Sequence, residues 1–114
     1  MSFNTELVKR LKTGSIKNVL LFGDSFDRKR APYIVVKPMA GGDRMLYQII
    51  VHMALGTQDQ LSVYVLRTLS ELLNDSFDVK GSRVTVKSTG AWAGPYVDED
   101  TLAMSRDFYV PIIL

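Results

Sequence analysis

The sequence contains no cysteine, and histidine occurs once in its 114 residues. Without cysteine the chain can form neither disulfide bonds nor thiolate metal sites. It also lacks any apolar run approaching the ~18 residues of a membrane-spanning helix. Its N-terminus lacks the apolar stretch of a signal peptide. These absences predict a soluble intracellular protein that does not bind a membrane.

The composition is that of one folded domain. A chain of 114 residues is close to the commonest domain size. Hydrophobic residues make up 46% of it, which is enough for a single core, so we assign residues 1–114 to one domain. Residues 1–30 carry seven basic and three acidic side chains, whereas the remainder carries seven and nine. This mild asymmetry allows passing contact with a polyanion but lacks a dedicated nucleic-acid footprint.

Periodic apolar residues predict two helices. Phe3, Leu7 and Leu11 are spaced four residues apart and indicate the first helix. Residues 57–60, with the sequence Thr-Gln-Asp-Gln, fit a capping box that begins the second helix. The apolar stripe that follows consists of Leu61, Val65, Leu69 and Leu72, flanked by Leu66 and Leu73. Val63 is predicted to project to the polar side of this helix.

Alternating and β-branched residues predict five strands, at residues 18–22, 33–39, 45–55, 83–87 and 106–114. In the third strand the odd positions are all apolar and the even positions are mixed, so helices should cover only the odd face. Residues 88–104 are predicted to form a long loop, and Pro111 places the last strand at an edge. The order α-β-β-β-α-β-β predicts an α+β domain with a mostly antiparallel mixed sheet and two helices on one face.

Residues 19–25, Val-Leu-Leu-Phe-Gly-Asp-Ser, resemble the first block of the GDSL (SGNH) hydrolases. The resemblance implies Ser25 as a nucleophile, which needs a general base and an orienting acid nearby. The single histidine, His52, lies in the middle of a predicted strand, and Ile49 occupies the position of that family's aspartate. The chain is also much too short for the hydrolase fold. We therefore expect no catalysis by Ser25 and a structural role for His52.

The acidic run Asp98, Glu99 and Asp100 invites comparison with a calcium-binding loop. An EF-hand loop requires glycine at its sixth position and glutamate at its twelfth, but Ala103 and Tyr109 occupy those positions. The run is therefore predicted to be a solvated loop. We expect no metal site, no cofactor and no enzymatic activity.

Several apolar residues instead indicate contact with other protein molecules. The predicted loop contains the only tryptophan, and Trp92 and Tyr96 in a glycine-rich segment are typical interface anchors. The sequence leaves open whether Trp92 meets a partner or folds back as a lid on the core. The chain ends on apolar residues, which we expect to be buried in the fold or covered by a neighbouring subunit. The candidate interface residues are Val63, Trp92, Tyr96, Ile112, Ile113 and Leu114.

The layout of the chain resembles the tail-terminator (tail-completion) proteins of long-tailed phages and prophages. The resemblance spans residues 3–114 and is carried by Pro-Tyr-Ile-Val-Val at 32–36, by residues 46–73 and by Phe-Tyr-Val at 108–110. It implies a non-enzymatic virion protein that forms a ring, often a hexamer. Such a ring terminates the tail tube and joins tail to head, with the tube protein and the head–tail connector proteins as partners. It would assemble in the host cytoplasm and then reside in the virion.

A ring through which DNA passes could present the basic run Arg28, Lys29 and Arg30 to its lumen, where these side chains would contact phosphates without reading sequence. The alternative for this run is a solvated basic turn. Two alternatives to the tail terminator also stay open. One is another head–tail connector or minor tail protein, and the other is an oligomeric adaptor outside any virion.

Overall fold

The computed structural model describes residues 3–23, 31–39, 44–70, 76–79 and 82–111. Two helices and seven strands are formed by these residues. In chain order they are α1 Phe3–Leu11, β1 Val19–Leu21, β2 Tyr33–Met39, β3 Arg44–Ala54, α2 Gln58–Val63, β4 Ser76–Val79, β5 Ser82–Thr85, β6 Lys87–Asp98 and β7 Thr101–Pro111. A π-helical segment, Tyr64–Leu69, continues α2 without a break.

Five strands form one mixed sheet in the order β1-β2-β3-β7-β6. Only β1 and β2 run parallel, and the other three neighbouring pairs are antiparallel. β4 and β5 form a separate antiparallel hairpin. The predicted class is confirmed, since the protein is an α+β domain whose mostly antiparallel sheet packs against two helices. The element order differs from the prediction through two additional strands, β4 and β6.

The core lies between the helices and one face of the sheet. The odd-numbered residues Tyr47, Ile49 and Val51 of β3 are buried there. They pack with Leu7 and Leu11 of α1 and with the buried residues of α2 and its π-helical continuation, which are Leu61, Val65 and Leu69. Burying a side chain of this size stabilises the fold by about 1.5–3 kcal/mol. The even-numbered Leu46, Gln48 and Ile50 are only half-buried, as predicted for that face. The predicted difference fails towards the end of the strand, where His52 is buried and Leu55, predicted to lie under the helices, is 54% exposed.

The second helix begins differently from the prediction. The Thr57 side chain makes no capping bond to the helix, and its hydroxyl donates to the Ala54 carbonyl at 2.6 Å. The predicted capping box is therefore wrong, because the hydroxyl is used within the turn that follows β3. The prediction that Val63 projects outward is confirmed. Leu66 is exposed too, since it lies about a quarter of a turn from the centre of the stripe.

The predicted loop over residues 88–104 is wrong. Most of it belongs to β6 and β7, which form a hairpin closed at residues 99–100. Gly90, Gly94 and Pro95 are typical loop residues in sequence, but here they lie in an edge strand. The register shifts between Thr89 and Ala93, and again between Ala93 and Tyr96. Such bulges accommodate residues that a regular ladder would exclude.

The edge position predicted for the last strand is also wrong. β7 lies inside the sheet, between β3 and β6. Pro111 is the last residue of β7 and is paired with Arg44, the first residue of β3. A proline at the end of a ladder removes little hydrogen bonding, so it does not require an edge strand.

Candidate subunit interface

Six large apolar side chains in the described part of the chain are 40–66% exposed, namely Phe22, Leu55, Val63, Leu66, Tyr96 and Val97. Single exposed apolar residues are ordinary, but their placement here is informative. Phe22 follows β1, and Tyr96 and Val97 lie near the end of β6. Among the described strands, β1 and β6 are the two edges of the sheet. Both edges therefore carry apolar side chains that the chain does not bury.

The β1 edge is short and ends in an aromatic ring. The Phe22 amide donates to the Val36 carbonyl at 2.8 Å, which extends the β1–β2 pairing by one residue. The Lys37 ammonium lies 4.9 Å from the centre of the Phe22 ring. A cation–π contact of this kind stabilises an exposed site by about 0.5–1 kcal/mol. The ring is thereby held beside the sheet while most of it faces solvent.

The β6 edge is irregular in the middle and regular at its end. Gly94 has a φ of +114°, a conformation that L side chains rarely adopt. Tyr96, Val97 and Asp98 resume regular pairing with residues 101–103 of β7. The bulge keeps the centre of this edge from acting as a template for another strand. The exposed side chains at its end lie beyond that irregularity.

Trp92 lies against the body of its own chain. Its ring is partly buried and meets Phe108 edge-to-face, with 6.0 Å between ring centres. Its indole Nε1–H donates to Ser70 Oγ at 3.0 Å. Of the two roles that the sequence leaves open for Trp92, these contacts support the lid on the core. Tyr96 and Val63 have the exposure that the predicted interface role requires.

Ser70 connects Trp92 to the irregular turn of the second helix. Its hydroxyl donates to the Val65 carbonyl at 2.6 Å, and its backbone amide bonds the same carbonyl. This i→i+5 spacing is that of a π-helix, a rare conformation that frequently marks functional positions.

Arg106 contacts the strand that carries Trp92. Its guanidinium lies over the Phe108 ring at 5.8 Å and donates to the Gly90 carbonyl.

The single histidine is buried inside the sheet, with 5% of its surface exposed. Its ring stacks on Tyr33 with 4.5 Å between centres, and Nδ1 lies 2.9 Å from Thr101 Oγ1. Thr101 Oγ1 donates to the Asp98 carbonyl, so the hydroxyl accepts from His52 Nδ1–H. Asp98 Oδ2 lies 4.0 Å from the same nitrogen. These contacts fasten β3 to the β6–β7 turn, which is a structural role.

Two tyrosines of the core have altered acidity. Burial raises the pKa of Tyr47, whose hydroxyl donates to Asn4 Oδ1 at 2.7 Å and so ties α1 to β3. Burial also raises the pKa of Tyr64, and the nearby polar groups of the Ile16 backbone and the Ser15 side chain lower it by less. Neither group makes a hydrogen bond of normal geometry with the Tyr64 hydroxyl in the described structure. Both tyrosines act as protonated phenols near neutral pH.

The outer surface of α2 carries an open groove of about 460 Å³, lined by Asp59, Gln60, Val63, Tyr64 and Thr68. It surrounds Val63, the candidate contact residue on this helix. The remaining predicted site residues lie outside the described ranges. They are Ser25, Arg28, Lys29, Arg30, Ile112, Ile113 and Leu114.

Sequence reasoning missed Phe22, Leu55, Leu66 and Val97 as exposed apolar residues. Phe22 and Leu66 each directly follow apolar residues that are buried or half-buried, and Leu55 continues the apolar odd positions of β3, so no local pattern distinguishes them. Val97 is adjacent to Tyr96, which was predicted, but the extent of a sheet edge depends on strand pairing between distant segments.

Among the described residues no group of three or more histidines and acids could hold a metal ion. Within the same ranges, no helix is both long and apolar enough to cross a membrane.

Comparison with known proteins bears on the fold alone. The chain matches no protein-family model and no curated protein. One similar solved structure covers 98% of this chain and 92% of its own length, with a TM-score of 0.65 and 19% sequence identity. That protein is designated by a sequence identifier and carries no functional name. At this identity the similarity extends to the fold and no further.

Proposed function

We propose that this chain is a non-enzymatic structural protein of a phage or prophage virion. In this proposal it assembles into a homo-oligomeric ring, with six subunits as the first number to test, that terminates the tail tube and joins the tail to the head. It acts in the host cytoplasm during assembly and then in the virion tail. The proposal combines the likeness of the sequence to tail terminators with a feature of the fold. That feature is the pair of sheet edges bearing exposed apolar side chains.

The exposed edges carry the argument for assembly. Phe22 on one side and Tyr96 with Val97 on the other lie outside the core. A ring is built from a heterologous contact, in which one surface of a subunit meets a different surface of the next. Apolar side chains on opposite edges of the sheet supply two different surfaces for such a contact, which supports the proposal. A stable contact typically buries about 800 Å² on each partner, so neighbouring residues must contribute as well.

The surroundings of His52 favour a structural role over catalysis. A serine hydrolase needs the imidazole beside the nucleophile and a carboxylate on its other nitrogen. Here Nδ1 bonds the Thr101 hydroxyl at 2.9 Å, and the ring is stacked on Tyr33. We therefore expect no hydrolysis of an activated ester, either by the unmodified protein or by the Ser25→Ala variant. Ester hydrolysis that disappears in the Ser25→Ala variant would favour the hydrolase.

The partners follow from the ring. The tail tube protein and the head–tail connector proteins would contact its two faces, and the open groove beside Val63 is a candidate for one of these contacts. Arg28, Lys29 and Arg30 would face the lumen and meet the phosphates of passing DNA. Such contacts depend on salt and carry no sequence preference.

The test is to mix the purified protein with tail tubes that lack a terminator and to image them by electron microscopy. We expect a ring of density at one end of each tube and no further tube growth from that end. Tubes that stay bare at millimolar protein would contradict the proposal. Genes for portal, capsid and tape-measure proteins beside the gene of this chain would separate the virion role from that of an adaptor outside a virion.

A further inference from the structure

We infer that neighbouring copies of this chain join head to tail, with the β6 edge and acidic turn of one copy packed on the β1 edge of the next. The inference rests on the proposed ring and names the surfaces that close it. Two independent features of the described structure carry it. One is the exposed apolar surface that Tyr96 and Val97 form at the end of β6, and the other is the opposite charge of the two edges at that end of the sheet.

At one end of the sheet the two edges have opposite charge. Asp98, Glu99 and Asp100 form the turn that ends β6. The Asp98 side chain is 44% exposed, and the other two residues are also exposed. On the β1 side, Lys12 and Lys17 are exposed. Lys17 Nζ donates to the Lys12 carbonyl at 3.1 Å, which holds its ammonium near the end of α1. Complementary charge of this kind steers association and suppresses wrong partners.

The opposite charges lie at the same end of the sheet. The Ile34 amide donates to the Asn18 carbonyl at 2.9 Å, so Lys17 lies beside the start of β2. Residues at the same height in the sheet can be followed through the strand pairing. Tyr33 of β2 pairs with His52 of β3, which pairs with Ala103 of β7, and Ala103 pairs with Tyr96 of β6. The acidic turn follows directly. Two copies can therefore be related by a rotation about an axis parallel to the strands. Their strands then point the same way, and the acidic turn of one copy faces the basic residues of the next.

The same geometry excludes a symmetric pairing through these features. A two-fold contact between like edges never brings the basic edge to the acidic turn. A head-to-tail contact brings them together at every junction, and it places Val97 and Tyr96 beside the alkyl stem of Lys17. Repeating that contact around a closed circle uses both edges of every subunit. The occupant of each edge is thus a second copy of this chain.

The test reverses one charge on each edge and then combines the variants. Lys17→Glu cancels the net positive charge of the β1 edge and places a carboxylate there, because Lys12 alone remains basic. Asp100→Lys makes the acidic turn less negative and brings basic charge to it. Each variant alone is expected to raise the concentration at which half the protein is assembled by about tenfold or more. A 1:1 mixture is expected to recover assembly, because the new carboxylate at position 17 of one variant then meets the new ammonium at position 100 of the other. The double variant, with both changes in one chain, is also expected to assemble.

Light scattering after size exclusion measures the mass, and circular dichroism verifies that each variant is folded. Arg67→Glu on the second helix is the matched control and should assemble as the unmodified protein does. Variants that assemble normally, or a mixture that stays dissociated, would overturn the head-to-tail edges and leave the proposed ring intact. An unmodified protein that never assembles would overturn the ring and the edges together.

Discussion

Among the described glycines with a positive φ, Gly94 is the one with least room for a side chain. Its φ is +114°, and a Cβ placed there would lie 2.8 Å from the Ala103 carbonyl oxygen and 3.1 Å from the Tyr96 ring. Gly56 has a similar φ of +85° but nothing within 4 Å of the corresponding position. The pair therefore separates the cost of backbone conformation from the cost of crowding.

Replacing Gly94 with alanine is expected to lower the free energy of unfolding by roughly 2–4 kcal/mol, from backbone strain and from displacement of β6 relative to β7. Gly56→Ala should cost only about 1 kcal/mol, since it has the strain without the clash. Denaturant unfolding of both variants measures the difference. Equal losses would show that β6 does not approach Ala103 as described.

The Trp92–Ser70 hydrogen bond provides a second test at the scale of single residues. Trp92→Phe keeps an aromatic ring against Phe108 but removes the indole donor, and it is expected to cost about 1–2 kcal/mol of stability. Ser70→Ala removes the acceptor and also the hydroxyl bond to the Val65 carbonyl. A double-mutant cycle should give a coupling of about 0.5–1.5 kcal/mol. A coupling of zero would mean that the tryptophan does not bond Ser70 in solution.

At the scale of elements, α1 is fastened to the sheet by the Tyr47–Asn4 hydrogen bond together with Leu7 and Leu11. Burial disfavours the ionised phenol, so the folded protein retains the Tyr47 proton at a pH where the unfolded chain has released it. The stabilisation is fully present below the unfolded pKa of 10.0. It is lost as pH rises from there through the higher folded-state pKa.

The free energy of unfolding is therefore expected to fall above pH 10.0, and Tyr47→Phe should make this fall less steep. The separate variant Tyr64→Phe should also make the fall less steep than in the unmodified protein, because burial raises the pKa of Tyr64 as well. Unfolding curves at several alkaline pH values, compared with the absorbance of ionised tyrosine, measure the effect. The same slope in all three proteins would contradict it.

The elements that sequence predicts best are those governed by local periodicity. The stripe of Leu61, Val65 and Leu69 and the odd face of β3 both follow from the spacing of apolar residues. β6 escaped prediction because Gly90, Gly94 and Pro95 interrupt its alternation, and only pairing with β7 makes it a strand. The π-helical turn at Val65 has no sequence signature either, and in the structure Ser70 completes it through two hydrogen bonds to the Val65 carbonyl.

At the scale of the whole molecule, the candidate site was predictable only in part. Tyr96 and Val63 are exposed as expected from their sequence positions, whereas Trp92 packs on Phe108 and bonds Ser70. The two edges of the sheet could not be identified from sequence, because they depend on the placement of β7 between β3 and β6. That placement makes β6 the partner surface of β1 in the proposed ring.

The measurement that tests the central claim most directly is sedimentation equilibrium of the unmodified protein over a wide range of concentration. The account predicts that the mass rises and then stays constant at one fixed multiple of the subunit mass, because a ring closes when every edge is occupied. High salt should shift this rise to higher concentration, as expected for junctions that pair opposite charges. A mass that stays at one subunit up to millimolar concentration would contradict the account.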